Sequence, residues 1–440
     1  MGPHSERVAA LLLGTLIALT VIGSSAVAVA IPVVRAELDL TVSDAAWIFA
    51  VFSLCFAVAT ATFGRIADLV GMRMPLVVGV CLMAAGSVLV GLAPTFPLLM
   101  VGRVVQGIGA GAVPVLVNGI VAAHWSGADR TRVFGSLMAV VAVVSGSGPV
   151  IGGGVEALLG WRWVFALPAL GVLLIAPIAR LAPAERRPGT FDVAGAVATA
   201  VVMGGLLALL QAPTAGAQVG IAGACLLVVG TPAMVRLARA RPDGFLPRAV
   251  VANAELMRPA FAALVLLATY FAMLLAAPEL LAEAKGWSPL QIGIALLPAA
   301  AAGAVASRVA GRIGPRIGRF RTAAVAAGVA LCCVGVTALA PEHVGAVIVG
   351  VAGASMGFGA SQAVLVDHVT IVAPADVQGA ALGVFNLVAF LGGSIGPTIV
   401  GGLSGVVGLP TAVAVTIAGP LAAIALLGGA RRSAPTVAAG

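Results

Sequence analysis

Residues 148–153 read Gly148-Pro149-Val150-Ile151-Gly152-Gly153, inside an apolar stretch that opens near Gly135 and is long enough to cross a bilayer. Small residues let helix backbones approach closely, and a proline releases a backbone carbonyl and permits a kink. A soluble core helix gains nothing from that pattern, whereas a membrane helix sealing one face of a cavity does. The pattern recurs, because Gly135, Gly148 and Pro149 shifted by 248 positions fall on Gly383, Gly396 and Pro397. One such arm in each half of a hydrophobic chain predicts a duplicated membrane bundle. The second arm carries one extra residue before its glycine pair, Gly401-Gly402, so the two cannot pack identically. Gly148 and Gly152 are expected to press on the facing half when the molecule is closed there, with a bend at Pro149 when it opens.

Composition points the same way. Of 440 residues, 61% are hydrophobic and 9% charged, against about 25% charged in soluble domains. With a mean hydropathy of +1.15, this is a polytopic helical membrane protein, with the lipid bilayer as its solvent. The net charge of +8 would suit nucleic acid, but the arginines are scattered over short loops with no aromatic-basic interleaving, so no nucleic-acid partner is expected. Cys55, Cys81, Cys225, Cys332 and Cys333 all fall in apolar segments and read as small buried hydrophobes. No Cys/His spacing suits a metal, and no cofactor is expected beyond the proton as coupling ion. The first apolar run, near 8–33, is too long for a signal-peptide core and reads as the first membrane helix.

A span takes about 20 apolar residues. The interruptions then place helices near 8–33, 45–67, 74–93, 97–122, 133–158, 162–181, 192–212, 217–236, 259–281, 289–310, 322–341, 343–366, 379–404 and 409–430. All but four of the 24 basic residues sit at one set of ends, from Arg7 to Arg432; the exceptions are Arg35, Arg103, Arg162 and Lys285. The positive-inside rule makes that set cytoplasmic, with both termini inside and an even number of spans. Gly64-Arg65-Ile66 and Gly71 shifted by 247 become Gly311-Arg312-Ile313 and Gly318. Two six-helix halves would be offset by somewhat under about 200 residues at these span lengths, so two helices are inserted between them. The expected plan is an N-terminal six-helix bundle over 1–188, two inserted helices over 189–240, a cytoplasmic linker over 241–258 and a C-terminal six-helix bundle over 259–440.

Three motifs carry more than topology. Gly64-Arg65-Ile66-Ala67-Asp68-Leu69-Val70-Gly71-Met72-Arg73 closes the second span; its glycines bring a short loop close to its neighbours, and Asp68 stands among arginines. Gly102-Arg103-Val104-Val105-Gln106-Gly107 opens the fourth span, and an arginine inside a membrane helix needs a carboxylate, a carbonyl or a watery cavity. These resemble the loop 2–3 and R-x-x-Q-G signatures of the major facilitator superfamily, and the opening stretch is similar to its G-P-x-x-G-G antiporter motif. Trp161-Arg162-Trp163-Val164-Phe165 and Gly189-Thr190-Phe191-Asp192-Val193-Ala194-Gly195 resemble the fourteen-helix drug/proton antiporter branch, with tetracycline-type and multidrug exporters as the nearest likeness. The resemblance implies an all-α membrane fold of two six-helix bundles plus two inserted helices. It implies no enzyme; the expected protein is a plasma-membrane transporter that exchanges a substrate for protons. The chain departs from the pattern at Leu69 and Met72, where bases are usual. It is also neutral at Ile22-Gly23-Ser24-Ser25-Ala26 and at Gly392-Gly393-Ser394, where related exporters carry acids. Cargo is therefore expected to be neutral or weakly acidic rather than tetracycline itself.

The coupling proton needs a carboxylate that the membrane keeps partly protonated. Eleven acids fall in loops, leaving Asp68, Glu156, Asp192, Glu279 and Asp367. Asp68 is the first choice for coupling or gating, with Arg103 as charge partner, followed by Glu156 on the face of Gly152; Asp192 reads as a gating residue or a helix-start carboxylate. Asp367 reads as loop-edge and Glu279 as a residue of the external mouth. Ser24, Phe52, Phe56, Gln106 and Asn118 from the first half, and Tyr270, Phe271, Asn386 and Phe390 from the second, are expected to line the substrate cavity. A monomer exporting small hydrophobic compounds is the leading expectation. The alternatives are a lipid-like exporter, with the inserted helices opening a lateral path, and a non-transporting membrane receptor.

Overall fold

The computed structural model describes residues 3–183, 192–241, 244–374 and 378–428. Gly189-Thr190-Phe191, the bases Arg186, Arg187, Arg431 and Arg432, the acids Glu185, Asp243 and Asp376, and the boundary expected at 188/189 lie outside the described residues. Among these residues, fourteen helices are long and apolar enough to span a membrane. They are α1 (Pro3–Leu38), α2 (Val42–Val70), α3 (Arg73–Gly91), α4 (Phe96–His124), α5 (Gly127–Leu159), α6 (Trp161–Ala179), α7 (Val193–Ala215), α8 (Ala217–Ala240), α9 (Ala254–Lys285), α10 (Pro289–Ile317), α11 (Arg319–Leu339), α12 (Val344–Val372), α13 (Gln378–Val407) and α14 (Leu409–Gly428). No strand occurs among the described residues.

Local chemistry explains where these helices begin and end. Thr41 with Asp44 and Ser288 with Gln291 form capping boxes ahead of α2 and α10, satisfying backbone donors that a helix start leaves unpaired. Gly71, Gly160, Gly216, Gly318 and Gly408 take positive φ in the tight turns between successive helices, a conformation that side chains resist. Two spans are less regular than their hydropathy predicts. Within α6, residues Leu167–Leu174 tighten into a 3₁₀ helix around Pro168 and Gly171, and α14 is interrupted between Val415 and Ala418. The expected linker over 241–258 contains a one-turn helix, Arg248–Val251, and α9 already begins at Ala254. Asp367 belongs to α12, which continues beyond the expected end to Val372.

Within the first half, α1 packs on α5, and α4 packs on both α2 and α3. Glycines set the α4 contacts on two faces. A Cβ at Gly109 would lie 2.1 Å from the Met83 nitrogen on α3, and one at Gly111 2.5 Å from the Phe56 carbonyl on α2. In the second half α9 packs on α13 and α12 on both α10 and α11. The halves meet along two seams, α2 against α13 and α5 against α10, and through α1 against α9.

Of the inserted pair, α7 lies over the first of these seams and α8 packs on α7. Gln211 of α7 is fully buried, accepts from Ser43 Oγ at 3.0 Å and donates to the Ser43 carbonyl at 3.3 Å, both on α2. On the other side of the seam, Gly402 of α13 comes so near the Leu210 carbonyl that a Cβ there would lie 2.2 Å from it. α7 thus covers the α2–α13 seam.

The apolar core is divided unevenly. At the ends away from the arginines, one cluster contains residues of both halves, among them Val27, Phe49, Phe165, Leu275, Ile292 and Val400. At the arginine-rich ends the first half has its own cluster around Leu13, Val80 and Leu116, and the second half another around Leu266, Val364 and Phe385. One end of the molecule is joined by a large shared cluster, whereas at the other each half keeps its own and only a small cluster of Ala57, Leu387 and Leu391, with Ala196 and Phe245, bridges α2 and α13.

Candidate functional site

Arg103 is the most tightly held charge in the protein. It is fully buried on α4; its Nε donates to the Ile48 carbonyl of α2 at 3.0 Å, and its Nη1 donates to the Gly23 carbonyl of α1 at 3.1 Å and to Gln106 Oε1 at 2.7 Å. Gln106 passes the connection on, donating to Ser87 Oγ of α3 at 2.8 Å and to the Phe165 carbonyl of α6 at 3.1 Å. The guanidinium also stacks over Phe52, 4.2 Å from the ring centroid, and approaches Phe165 at 5.4 Å. Five helices of one half are tied through this cluster. Nη2 is buried with no partner among the described residues.

Arg103 and Asp68, expected to belong to one charge network, are not in contact. Ile48, at the level of Arg103, is 20 residues before Asp68 on α2, a separation of about 30 Å at 1.5 Å per residue. Carbonyls and ring faces compensate the cation instead. Asp68 is exposed at the arginine-rich end and has no ion pair among the described residues. The rest of its loop motif is tied within the first half and to the linker. Arg65 donates to the Gly244 carbonyl at 3.2 Å, Gly64 comes close to Val115, and the Met72 and Arg73 amides donate to the Pro183 carbonyl, with Gly71 making the turn at φ 84°.

Asp192 caps α7. Its Oδ1 accepts from the Gly195 N–H and its Oδ2 from the Phe245 N–H, each at 3.1 Å, and it pairs with Arg241. Burial alone would raise its pKa; the two backbone donors and the Arg241 guanidinium outweigh that and hold it below the ordinary aspartate value of 3.8. Of the two readings of Asp192, the helix-start carboxylate fits this geometry, and the gating reading receives no support from it. Glu156, half-buried near the joined end of α5, makes no ion pair among the described residues.

The antiporter motif contains two interleaved stripes. Gly148 and Gly152 face α1 of their own half, where a Cβ would lie 2.1 Å from Ser25 Oγ and 2.3 Å from the Ala26 carbonyl respectively. This corrects the expectation that they press on the facing half. Pro149 and Gly153 do so instead. A Cβ on Gly153 would lie 2.5 Å from Leu290 Cα on α10, and one on Gly293 of α10 2.3 Å from the Pro149 carbonyl. Four residues apart on a helix is one face, and the neighbouring positions define the adjoining face.

Aromatic residues from both halves converge midway along the helices. Phe52 neighbours Phe56 at 6.1 Å, and Phe56 meets Phe390 of α13 edge-on at 5.1 Å. Phe49 meets Phe271 of α9 at 6.4 Å; Phe271 contacts Tyr270, which stacks on Phe358 of α12 at 5.7 Å. Five expected cavity residues therefore fall in these two strings, which Phe49 and Phe358 extend. Asn386 is half-buried on α13 four residues before Phe390, Ser24 is buried in α1, and Asn118 is exposed on α4. A separate groove of about 560 Å³, lined by residues such as Ala84, Val88 and Ala169 of α3 and α6, lies apart from these rings.

One of the five candidate acids has an environment that its sequence position did not reveal. Glu279, placed at the external mouth, is instead 2% exposed and paired with Arg35 of α1 across the two halves. Its only sequence signal was an acid directly after Pro278 near the end of an apolar run, which resembles any solvated helix end.

Two six-helix halves, sharing one large apolar cluster at one end and meeting through aromatic rings midway, have the architecture of a membrane transporter. The chain belongs to the Major Facilitator Superfamily, whose family model matches residues 13–397. It is 28% identical over 391 residues to the multidrug resistance protein Stp of Mycobacterium tuberculosis, an alignment covering 85% of this chain and 71% of Stp. It is 36% identical over 180 residues to an uncharacterised MFS-type transporter of the same organism, covering 41% of this chain but only 26% of that protein. The MFS efflux transporter aclA of Aspergillus oryzae is 35% identical over 154 residues, covering 34% and 28%. In fold it is similar to a bacterial homologue of the human lysosomal transporter Spinster, solved inward-facing and unoccupied, with a TM-score of 0.70, 15% identity and 98% of each chain covered.

Proposed function

We propose that this protein is a secondary active exporter of small hydrophobic compounds, working in exchange for protons by alternating access between its two halves, 1–188 and 259–440. The observation that carries the reading is the uneven core, one large shared cluster at one end and, at the other, a separate cluster for each half with only a small bridge at the α2–α13 seam. A pair of bundles fastened broadly at one end and narrowly at the other suits one member of a two-state rocking pair. The positive-inside rule assigns the arginine-rich end to the cytoplasm, so this state faces inward, in a plasma membrane of bacterial type with both termini cytoplasmic. A monomer suffices, because both halves of the path lie in one chain.

The aromatic strings suit a lipophilic cargo with flat faces, and Arg103 beside Phe52 suits a neutral or weakly acidic one. Proton coupling falls to Asp68 or Glu156, carboxylates at opposite ends of the first half. The names of Stp and aclA point towards drug resistance and efflux. The test is efflux from proteoliposomes carrying a pH gradient, with wild type, Asp68→Asn and Glu156→Gln compared. Efflux should follow the gradient and fall in at least one variant. Efflux that persists unchanged when the gradient is collapsed would remove the proton from the mechanism.

A further inference from the structure

Arg35 and Glu279 pair across the two halves at the joined end, and nothing in the motifs assigns them a role. We infer that this pair is the latch holding that end shut, so that its strength sets how the molecule divides its time between its two states. The inference rests on the alternating-access reading but on neither the cargo nor the proton.

The geometry builds the latch from the first half outward. Arg35 lies in the last turn of α1, and its Nε donates to the Leu40 carbonyl at 3.3 Å across the α1–α2 turn, where Asp39 has φ 52°. Two residues on, Glu37 accepts from Trp161 Nε1 at 2.6 Å and from Arg162 Nη1 at 2.5 Å at the start of α6. The tip of α1 is thereby fixed to its own half, and Arg35 moves with it. Glu279 belongs to α9 of the opposite half, beside the shared apolar cluster that includes Ala276, Ala277 and Leu280. Opening the joined end must pull the two residues apart.

The two partners are unequally placed. Arg35 is 22% exposed and keeps the Leu40 carbonyl if its carboxylate is lost. Glu279 is 2% exposed, and its Oε1 has no partner among the described residues. Removing Arg35 leaves a buried carboxylate uncompensated in the closed state alone, because opening hydrates it. Removing the charge of Glu279 leaves only an arginine that already reaches water. Removing both leaves no buried charge.

The experiment places spin labels on Thr95→Cys and Glu342→Cys, exposed loop positions of the two halves at the joined end, with the native cysteines replaced by serine. Distances are measured without cargo. Arg35→Gln should raise the ratio of open to closed molecules by roughly tenfold or more, as expected for an orphaned buried charge. Glu279→Gln should raise it less, and adding Glu279→Gln to Arg35→Gln should bring it partly back. Gly153→Leu, whose side chain would meet the α10 backbone, serves as an opening control. If Gly153→Leu lengthens the distance while the latch variants leave it unchanged or act additively, the latch is wrong and alternating access stands. If none of the four moves it, both are wrong.

Discussion

A guanidinium in an apolar bundle has few ways to be satisfied, and Arg103 uses two of them, carbonyls and ring faces. Its fork spans α1 and α2 at once, which a lysine ammonium on a flexible stem cannot reproduce. Arg103→Lys should therefore lower the melting temperature in detergent as well as transport, since each hydrogen bond to a charged group contributes about 1.5–3 kcal/mol. A variant that melts like wild type would mean the cluster does not hold the half together. Asp192 makes a second prediction, this one in pH. Its folded pKa is depressed, so its contribution is present above the ordinary aspartate value and is lost as pH falls through the lowered one. Asp192→Asn, which can still cap α7, should melt earlier than wild type at pH 7, losing about 0.3–1 kcal/mol for the charge at the helix start, and the gap should close well below pH 4. A gap of equal size at all pH values would show that the charge is irrelevant. That Arg103 needed partners was legible in the sequence. Which partners it has was not, because the carbonyls of Gly23 and Ile48 leave no trace in side-chain identity.

At the scale of one helix, α5 shows how the same few residues serve two contacts. Gly148 and Gly152 fit α5 to α1 inside the first half, while Pro149 and Gly153 meet α10 across the seam. Gly152→Leu should reduce folded protein recovered from the membrane, with the surviving fraction keeping its state distribution. Gly153→Leu should fold normally and shift that distribution. The two are separated by size-exclusion yield and by solvent access to the joined end, and equal behaviour of the pair would refute the assignment. The spacing of four made a packed face predictable. It could not tell which of two adjacent faces met the other half, because 149/153 repeats the spacing one residue on. The irregular turns of α6 were equally hard to read, since hydropathy reports apolar length and is blind to a change from α to 3₁₀ winding.

Across the whole molecule, the arrangement of spans followed from hydropathy and arginine placement, while the way the inserted pair docks did not. Gln211 reads in sequence as one polar residue in an apolar run, yet it is the buried peg that holds α7 to Ser43 of α2. Gln211→Ala should destabilise the protein by about 1–3 kcal/mol, the cost of leaving buried polar groups without partners, and a thermal-shift assay would register it. No change in melting would mean that α7 is held by apolar contact alone. At its other end α7 is tied through Asp192 to Phe245 of the linker, which also meets Arg65 of α2. The polar fastenings of α7 thus run to α2 and the linker, and α13 meets it through Gly401 and Gly402.

That last contact is between a glycine pair and a backbone, smooth on one side and fixed on the other, which is the anatomy of a bearing. Duplication would have produced a molecule with two interchangeable flanks. With α7 laid along one of them, movement there under the proposed rocking would slide protein over protein, whereas no inserted helix covers the seam of α5 and α10. The molecule therefore has a back and a front in the plane of the bilayer, and the proposed cycle would do its work against lipid mainly at the front.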